Sequence, residues 1–256
     1  MIVMGIDVGS ISTKAAVIND GKIAATKVIA TGYHAQKAAK RVYRETIAAA
    51  GFQAADVAKI VATGYGRNSV DFAHKAITEI TCHAAGAHYL DPSVRTIIDI
   101  GGQDSKVIAI DENGQVKDFA MNDKCAAGTG RFLEVMARAL EVELAQFGSM
   151  SIVAKKPASI SSLCTVFAES EVISLIAKGE VRENIIAGIH NAISARVVAM
   201  GGRVGLRAPL MMTGGVAKNI GVLAAIREKT GQDVIVSDKA QVNGAIGAAL
   251  MAAKTL

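Results

Sequence analysis

Tryptophan is absent from these 256 residues, and aromatic side chains make up only 4% of them. A platform for single-stranded nucleic acid stacks successive bases on aromatic rings, so this scarcity argues against one. Positive charge is not concentrated either: the net charge is +5, and no run of lysine and arginine exceeds two residues. Such a surplus fits a small anionic ligand and implies no nucleic-acid partner. Cysteine is sparse and odd in number, at Cys82, Cys125 and Cys164, which argues against a disulfide framework and leaves metal or redox chemistry as its special role. Prolines number three against 51% apolar residues, so no disordered segment or long linker is expected. No apolar stretch approaches the roughly 20 residues that cross a bilayer. The chain opens directly as a strand, without the charged and apolar regions of a signal peptide. The expectation is a compact cytoplasmic protein with no membrane partner, built on one large core or two smaller ones.

What is present is a short pattern written twice. Ile6-Asp7-Val8-Gly9-Ser10-Ile11-Ser12-Thr13-Lys14 returns as Ile98-Asp99-Ile100-Gly101-Gly102-Gln103-Asp104-Ser105-Lys106. In each copy an apolar run ends in Asp, Gly follows two residues on, and a hydroxyl-Lys pair closes the segment. A second apolar run comes next, then a turn at Asn19-Asp20-Gly21 or Asp111-Glu112-Asn113-Gly114. Each copy reads as a β-hairpin followed by a third strand, over 2–8, 14–19 and 22–30 and again over 95–101, 105–110 and 115–121. The glycine-containing bend offers backbone N–H groups and hydroxyls to phosphate oxygens, and the Asp suits a hydrated divalent cation. Two facing copies would grip one polyphosphate from both sides.

Between and after the copies the signals are helical. Helices are expected near 34–50, ending at Gly51, and near 72–89, stopped by Asp91-Pro92, with a strand at 60–63 between them. Further helices are expected near 126–146, 167–178, 182–202, 217–229 and 243–253, with strands at 208–213 and 233–236. In the first of these, Leu133, Met136, Ala137, Leu140 and Leu144 make one apolar face. The economical division is a first half over 1–94 and a second over 95–256, with the last helix packing back toward the first.

A third glycine-rich turn, Met212-Thr213-Gly214-Gly215-Val216-Ala217-Lys218-Asn219, lies between a strand and a helix, where small residues let a ring or ribose approach the backbone. One such turn is weak evidence of a ligand. Three in this order resemble the actin, Hsp70 and sugar-kinase superfamily, whose α/β, ribonuclease-H-like duplicated domains hold ATP in a cleft. By that resemblance Asp7 and Asp99 would hold hydrated Mg²⁺, while Gly9, Ser10, Ile11, Ser12, Thr13 and Lys14 would touch ATP or ADP phosphates together with Gly101, Gly102 and Gln103. Gly214, Gly215, Lys218, Asn219 and Gln241 would line the adenosine side. Gln103 and Asp104 both stand in the second phosphate turn, and either could orient the attacking water. For the two lysines, a solvated strand-edge charge is an equally open reading.

Cys125 and Cys164 each read as sitting just before a helix, where unpaired N–H donors stabilise anionic sulfur or a metal–thiolate cluster. Zinc and iron–sulfur centres take four ligands, and the chain offers two suitable thiols; a second copy on a twofold axis could supply the other pair. From spacing alone a cysteine among small and apolar residues reads first as a core residue. The flanks add a resemblance. Asn122 to Phe132, Thr165 to Ser174, both Asp-x-Gly copies and Thr213 to Asn219 closely resemble the ATP-dependent activators of 2-hydroxyacyl-CoA dehydratases, within the wider BadF/BadG/BcrA/BcrD-type family that includes benzoyl-CoA reductase ATPase subunits.

That resemblance runs from Gly5 to Ala253. It implies a homodimer in which Cys125 and Cys164 of both copies ligate one shared 4Fe–4S cluster. It also implies ferredoxin or flavodoxin as electron donor, and an ATPase that passes one low-potential electron to its dehydratase partner. Cys82, beside His83 on a helix, points about 100° away from it and reads as packing. A small-molecule kinase of the same fold and an ATP-sensing regulator are the rival readings.

Overall fold

The computed structural model describes residues 1–161 and 164–254; Ser162 and Leu163 of the second cysteine motif lie outside the described residues. The chain divides into two compact units, one of Met1–Ile97, Ile110–Lys117 and Ser237–Leu256, the other of Ile98–Ala109 and Asp118–Val236.

The first copy of the repeat builds the first sheet. β1 (Ile2–Val8), β2 (Ser12–Asn19) and β3 (Lys22–Ala30) run antiparallel in sequence. β4 (Val57–Thr63) joins β1 in parallel and β5 (Lys75–Ala76) joins β4, giving the order β3-β2-β1-β4-β5. Successive side chains of a strand face opposite sides. Met4, Ile6 and Val8 therefore enter one core with Val42 and Ile47 of α1 (Ala35–Ala50). Val3 enters another, with Cys82 of α2 (Glu79–Leu90) and Ala245, Ala248 and Ala249 of α8 (Asn243–Lys254). Burial on both faces is why the β1 sequence is an almost unbroken apolar run. α8 lies very close: a methyl group on Gly247 would sit 1.7 Å from the Cys82 carbonyl oxygen.

The second copy builds β6 (Thr96–Ile100), β7 (Ser105–Ile110) and β8 (Val116–Asn122), joined by β9 (Leu210–Thr213) and β10 (Val234–Ile235). Its order, β10-β9-β6-β7-β8, is the first sheet's order element for element. The written repeat is thus a topological one, and the expected duplicated α/β architecture holds. In the second unit α3 (Gly130–Ala139) packs on α5 (Thr165–Ala177), and α4 (Leu144–Ile152) packs on α6 (Arg182–Val204) and α7 (Ile220–Thr230).

Four sequence expectations need correction. The helix expected over 72–89 starts only at Glu79, capped by Thr78, because Lys75 and Ala76 pair with Val61 and Ala62 as an edge strand. The helix expected over 126–146 is two, α3 and α4, separated where Glu141 takes a left-handed φ of 52°. Leu144 accordingly leaves the apolar face and is exposed. Finally, α6 is long and apolar enough to cross a membrane by length and composition, although no such stretch was expected. Its Ile185, Ile186, Ile189, Ile193 and Val197 are buried within the second unit, as in the core helix of a globular domain.

Candidate functional site

At the end of β1, Asp7 is only 5% exposed. Burying a carboxylate is costly unless it is paired. The antiparallel register sets Lys14 opposite it, and Lys14 Nζ lies 3.2 Å from Asp7 Oδ2. The intervening turn is pinned by Gly9 N–H donating to the Ser12 carbonyl (3.1 Å) and by Thr31. Thr31 Oγ1 donates to the Gly9 carbonyl (2.7 Å), and its N–H to the Ile11 carbonyl (2.9 Å). Thr13 Oγ1 meets Thr31 Oγ1 at 2.9 Å. Thr31 has no mark in the motif; its only sequence signal is a hydroxyl after the third strand.

The second turn repeats this chemistry with a tighter grip. Asp99 and Lys106 are each 2% exposed, with Lys106 Nζ 3.3 Å from Asp99 Oδ2 and 2.7 Å from Asp104 Oδ2. Thr213 Oγ1 donates to the other oxygen, Asp99 Oδ1, at 2.7 Å. Lys106 is therefore no solvated edge charge, and the repeat itself held the signal: it stands seven residues after its Asp, as Lys14 does. Asp104 is engaged, its carbonyl accepting from Gly101 N–H at 2.9 Å. Gln103 beside it is exposed.

The third turn comes to the same place. Gly214 has φ +87°, which favours glycine, and a methyl group there would stand 2.3 Å from the Ile100 carbonyl and 3.1 Å from Asp99 Oδ1. Gly215 and Lys218 are exposed on the turn that follows, and Gln241 is half-buried in the first unit. The side chain of Asn219 is used within the protein: its Oδ1 accepts from Gly221 and Val222 N–H, capping α7, and its Nδ2 lies 3.2 Å from His190 Nε2.

Cys164 is exposed and is the N-cap residue of α5, as its sequence position implied. Cys125 is half-buried, but α3 starts five residues later at Gly130, so it does not sit at that helix's end. The segment between them is anchored. Gly130 N–H donates to the Gly101 carbonyl at 2.9 Å and Arg131 N–H to the Gly102 carbonyl at 2.8 Å, so the start of α3 rests on the second turn. Among the described residues no group of three or more His, Cys, Asp and Glu side chains could hold a metal. Cys125 and Cys164 of one chain are two thiols, fewer than the four ligands that a zinc or iron–sulfur centre takes. α3 and α5, the helices that follow these thiols, pack together. Cys82 is wholly buried, and burial pushes its thiol up to about 12, which leaves it with the packing role.

These turns and cysteine segments match the BadF/BadG/BcrA/BcrD ATPase family over residues 4–252. The chain belongs to that family. It is an ATPase by family, with the actin-like, sugar-kinase-like fold. It is 49% identical to the activator of lactoyl-CoA dehydratase from Anaerotignum propionicum, over 98% of this chain and 97% of that one. The crystal structure of component A of (R)-2-hydroxyglutaryl-CoA dehydratase from Acidaminococcus fermentans is 47% identical, with a TM-score of 0.96 over 100% of this chain and 98% of that one. The activator of the 2-hydroxyisocaproyl-CoA dehydratase from Clostridium difficile, solved with bound ADPNP, is 44% identical, with a TM-score of 0.93 over 100% and 95%. A ROK family glucokinase from Streptomyces griseus, at 14% identity and a TM-score of 0.61, covers 99% of this chain and 100% of its own and shares the fold alone.

Proposed function

We propose that this chain is an ATP-driven activator of a 2-hydroxyacyl-CoA dehydratase, working as a homodimer that holds one 4Fe–4S cluster on Cys125 and Cys164 of both copies. The observation that carries this reading is the pair of hydrogen bonds from Gly130 and Arg131 to the carbonyls of Gly101 and Gly102. It ties the turn with phosphate-binding chemistry to the helix that follows a cluster thiol. When bound, the cluster supplies a one-electron store of low potential, filled by ferredoxin or flavodoxin.

The chain's own residues do the rest. Gly9, Ser10, Ile11, Ser12, Thr13 and Lys14, with Gly101, Gly102 and Gln103, present N–H groups, hydroxyls and charge to the phosphates of ATP. Asp7 and Asp99, each paired with its lysine, would hold hydrated Mg²⁺. Gly214, Gly215, Lys218 and Gln241 line the adenosine side, and Asn219 fixes that turn by capping α7. Gln103 orients the attacking water, because Asp104 is held by Lys106 while Gln103 is exposed. Hydrolysis displaces the second turn, the start of α3 follows it, and the cysteine segments move. The twofold assembly is supported by α5, the helix that Cys164 caps: Val166 and Ile173, two turns apart, face away from its buried Ala168 and Val172 and are exposed.

Anaerobic assay with a 2-hydroxyacyl-CoA dehydratase and a reduced ferredoxin tests the proposal. Dehydration should require ATP and this protein, and Cys125→Ser or Cys164→Ser should abolish it while nucleotide binding persists. Stoichiometric transfer of the γ-phosphate to a metabolite would instead make the chain a kinase.

A further inference from the structure

The Cys125 segment is held at both ends, and the second hold lies away from the nucleotide-binding turns. Asn122, at the end of β8 and 9% exposed, donates from Nδ2 to the Cys125 carbonyl (2.7 Å) and to the Ala127 carbonyl (3.3 Å). Its Oδ1 accepts from Arg196 Nη2 on α6 at 3.1 Å. The Arg196 stem also lies under the segment: Gly128 has φ +85°, and a methyl group there would sit 3.0 Å from Arg196 Cδ. At the other end Gly130 and Arg131 hang on Gly101 and Gly102.

A loop that is tied at one end only absorbs a displacement in its own backbone. A loop tied at both ends turns that displacement into rotation about the fixed point. We infer that Asn122 and Arg196 are positioning residues for the nucleotide-driven step, a fixed point that makes movement of the second phosphate turn reach Cys125. A single amide spans the two carbonyls and orders the backbone from Cys125 to Ala127, directly after the thiol. The guanidinium fixes that amide's orientation by donating to its oxygen, which leaves Nδ2 to face the carbonyls. α6 supplies the fixed reference, because it is a core helix of its unit. This inference rests on the proposed function in taking the second turn as the one that nucleotide displaces and Cys125 as the group that moves.

The test uses the cluster-free full chain and reads Cys125 itself. Alkylation is followed by peptide mass spectrometry with and without ADPNP. In the wild type, nucleotide should change the Cys125 rate by at least about fivefold, the low end of coupling between two sites. Arg196→Met keeps the stem over Gly128 but removes the donor. It should bring the ratio close to one, with ADPNP affinity unchanged. Asn122→Ala should do the same, the double variant no more than either, and Arg196→Lys should restore part of the response. A wild-type response in Arg196→Met, or no response in the wild type, overturns the inference. Iron content and dehydratase activation, measured on cluster-loaded preparations of the wild type, report separately on the proposed function, so the two can fail independently.

Discussion

At the residue scale, each copy of the repeat buries an Asp–Lys pair, and the second does so almost completely. Removing one member of a buried pair strands the other charge, which costs about 3 kcal/mol or more. Lys106→Met, which keeps the stem but leaves Asp99 and Asp104 unpaired by it, should lower unfolding free energy by that order in urea titration at pH 7. An unchanged midpoint would mean that Thr213 and other partners compensate Asp99. His190 gives a pH signature. Burial lowers its titration to about 4 from 6.5, among Phe147, Ser151 and Asn219. The unfolded chain therefore binds more protons between these values, so stability is fully present above pH 6.5 and is lost as pH falls toward 4, by on the order of 3 kcal/mol. Urea midpoints at pH 7 and pH 5 should differ accordingly, and His190→Gln should flatten the difference.

At the element scale, the strands were legible because β1 and β6 are buried on both faces and write that burial as apolar runs. The boundaries that escaped were set by partners far along the chain. Lys75-Ala76 becomes a strand only because β4 offers it an edge, and nothing local says so. The break between α3 and α4 depends on a left-handed Glu141, a conformation with no glycine to announce it. The lysines were legible as a pair at equal spacing, yet their burial was not, since it depends on the carboxylates they meet. The Asn122–Arg196 contact joins residues 74 apart in sequence and left no pattern at all. α5 makes its own prediction. Ile173→Glu puts a charge on an exposed position and should leave the monomer folded and ATP-binding, but break the dimer and cluster retention in sedimentation and iron analysis. A dimer that survives with its cluster would place the interface elsewhere.

At the scale of the whole molecule, two sheets of one strand order carry the glycine-containing turns, and that fold is shared with a sugar kinase. What the chain adds is two thiols, Cys125 half-buried and Cys164 exposed, on a unit whose α3 starts on the second glycine-containing turn. The central claim is therefore stoichiometric. Anaerobic purification with iron, acid-labile sulfide and molecular mass determined on one sample tests it most directly. A homodimer with one 4Fe–4S cluster is expected, the cluster being lost in Cys125→Ser and in Cys164→Ser. A cluster-loaded monomer, or a wild-type protein without iron, would contradict it.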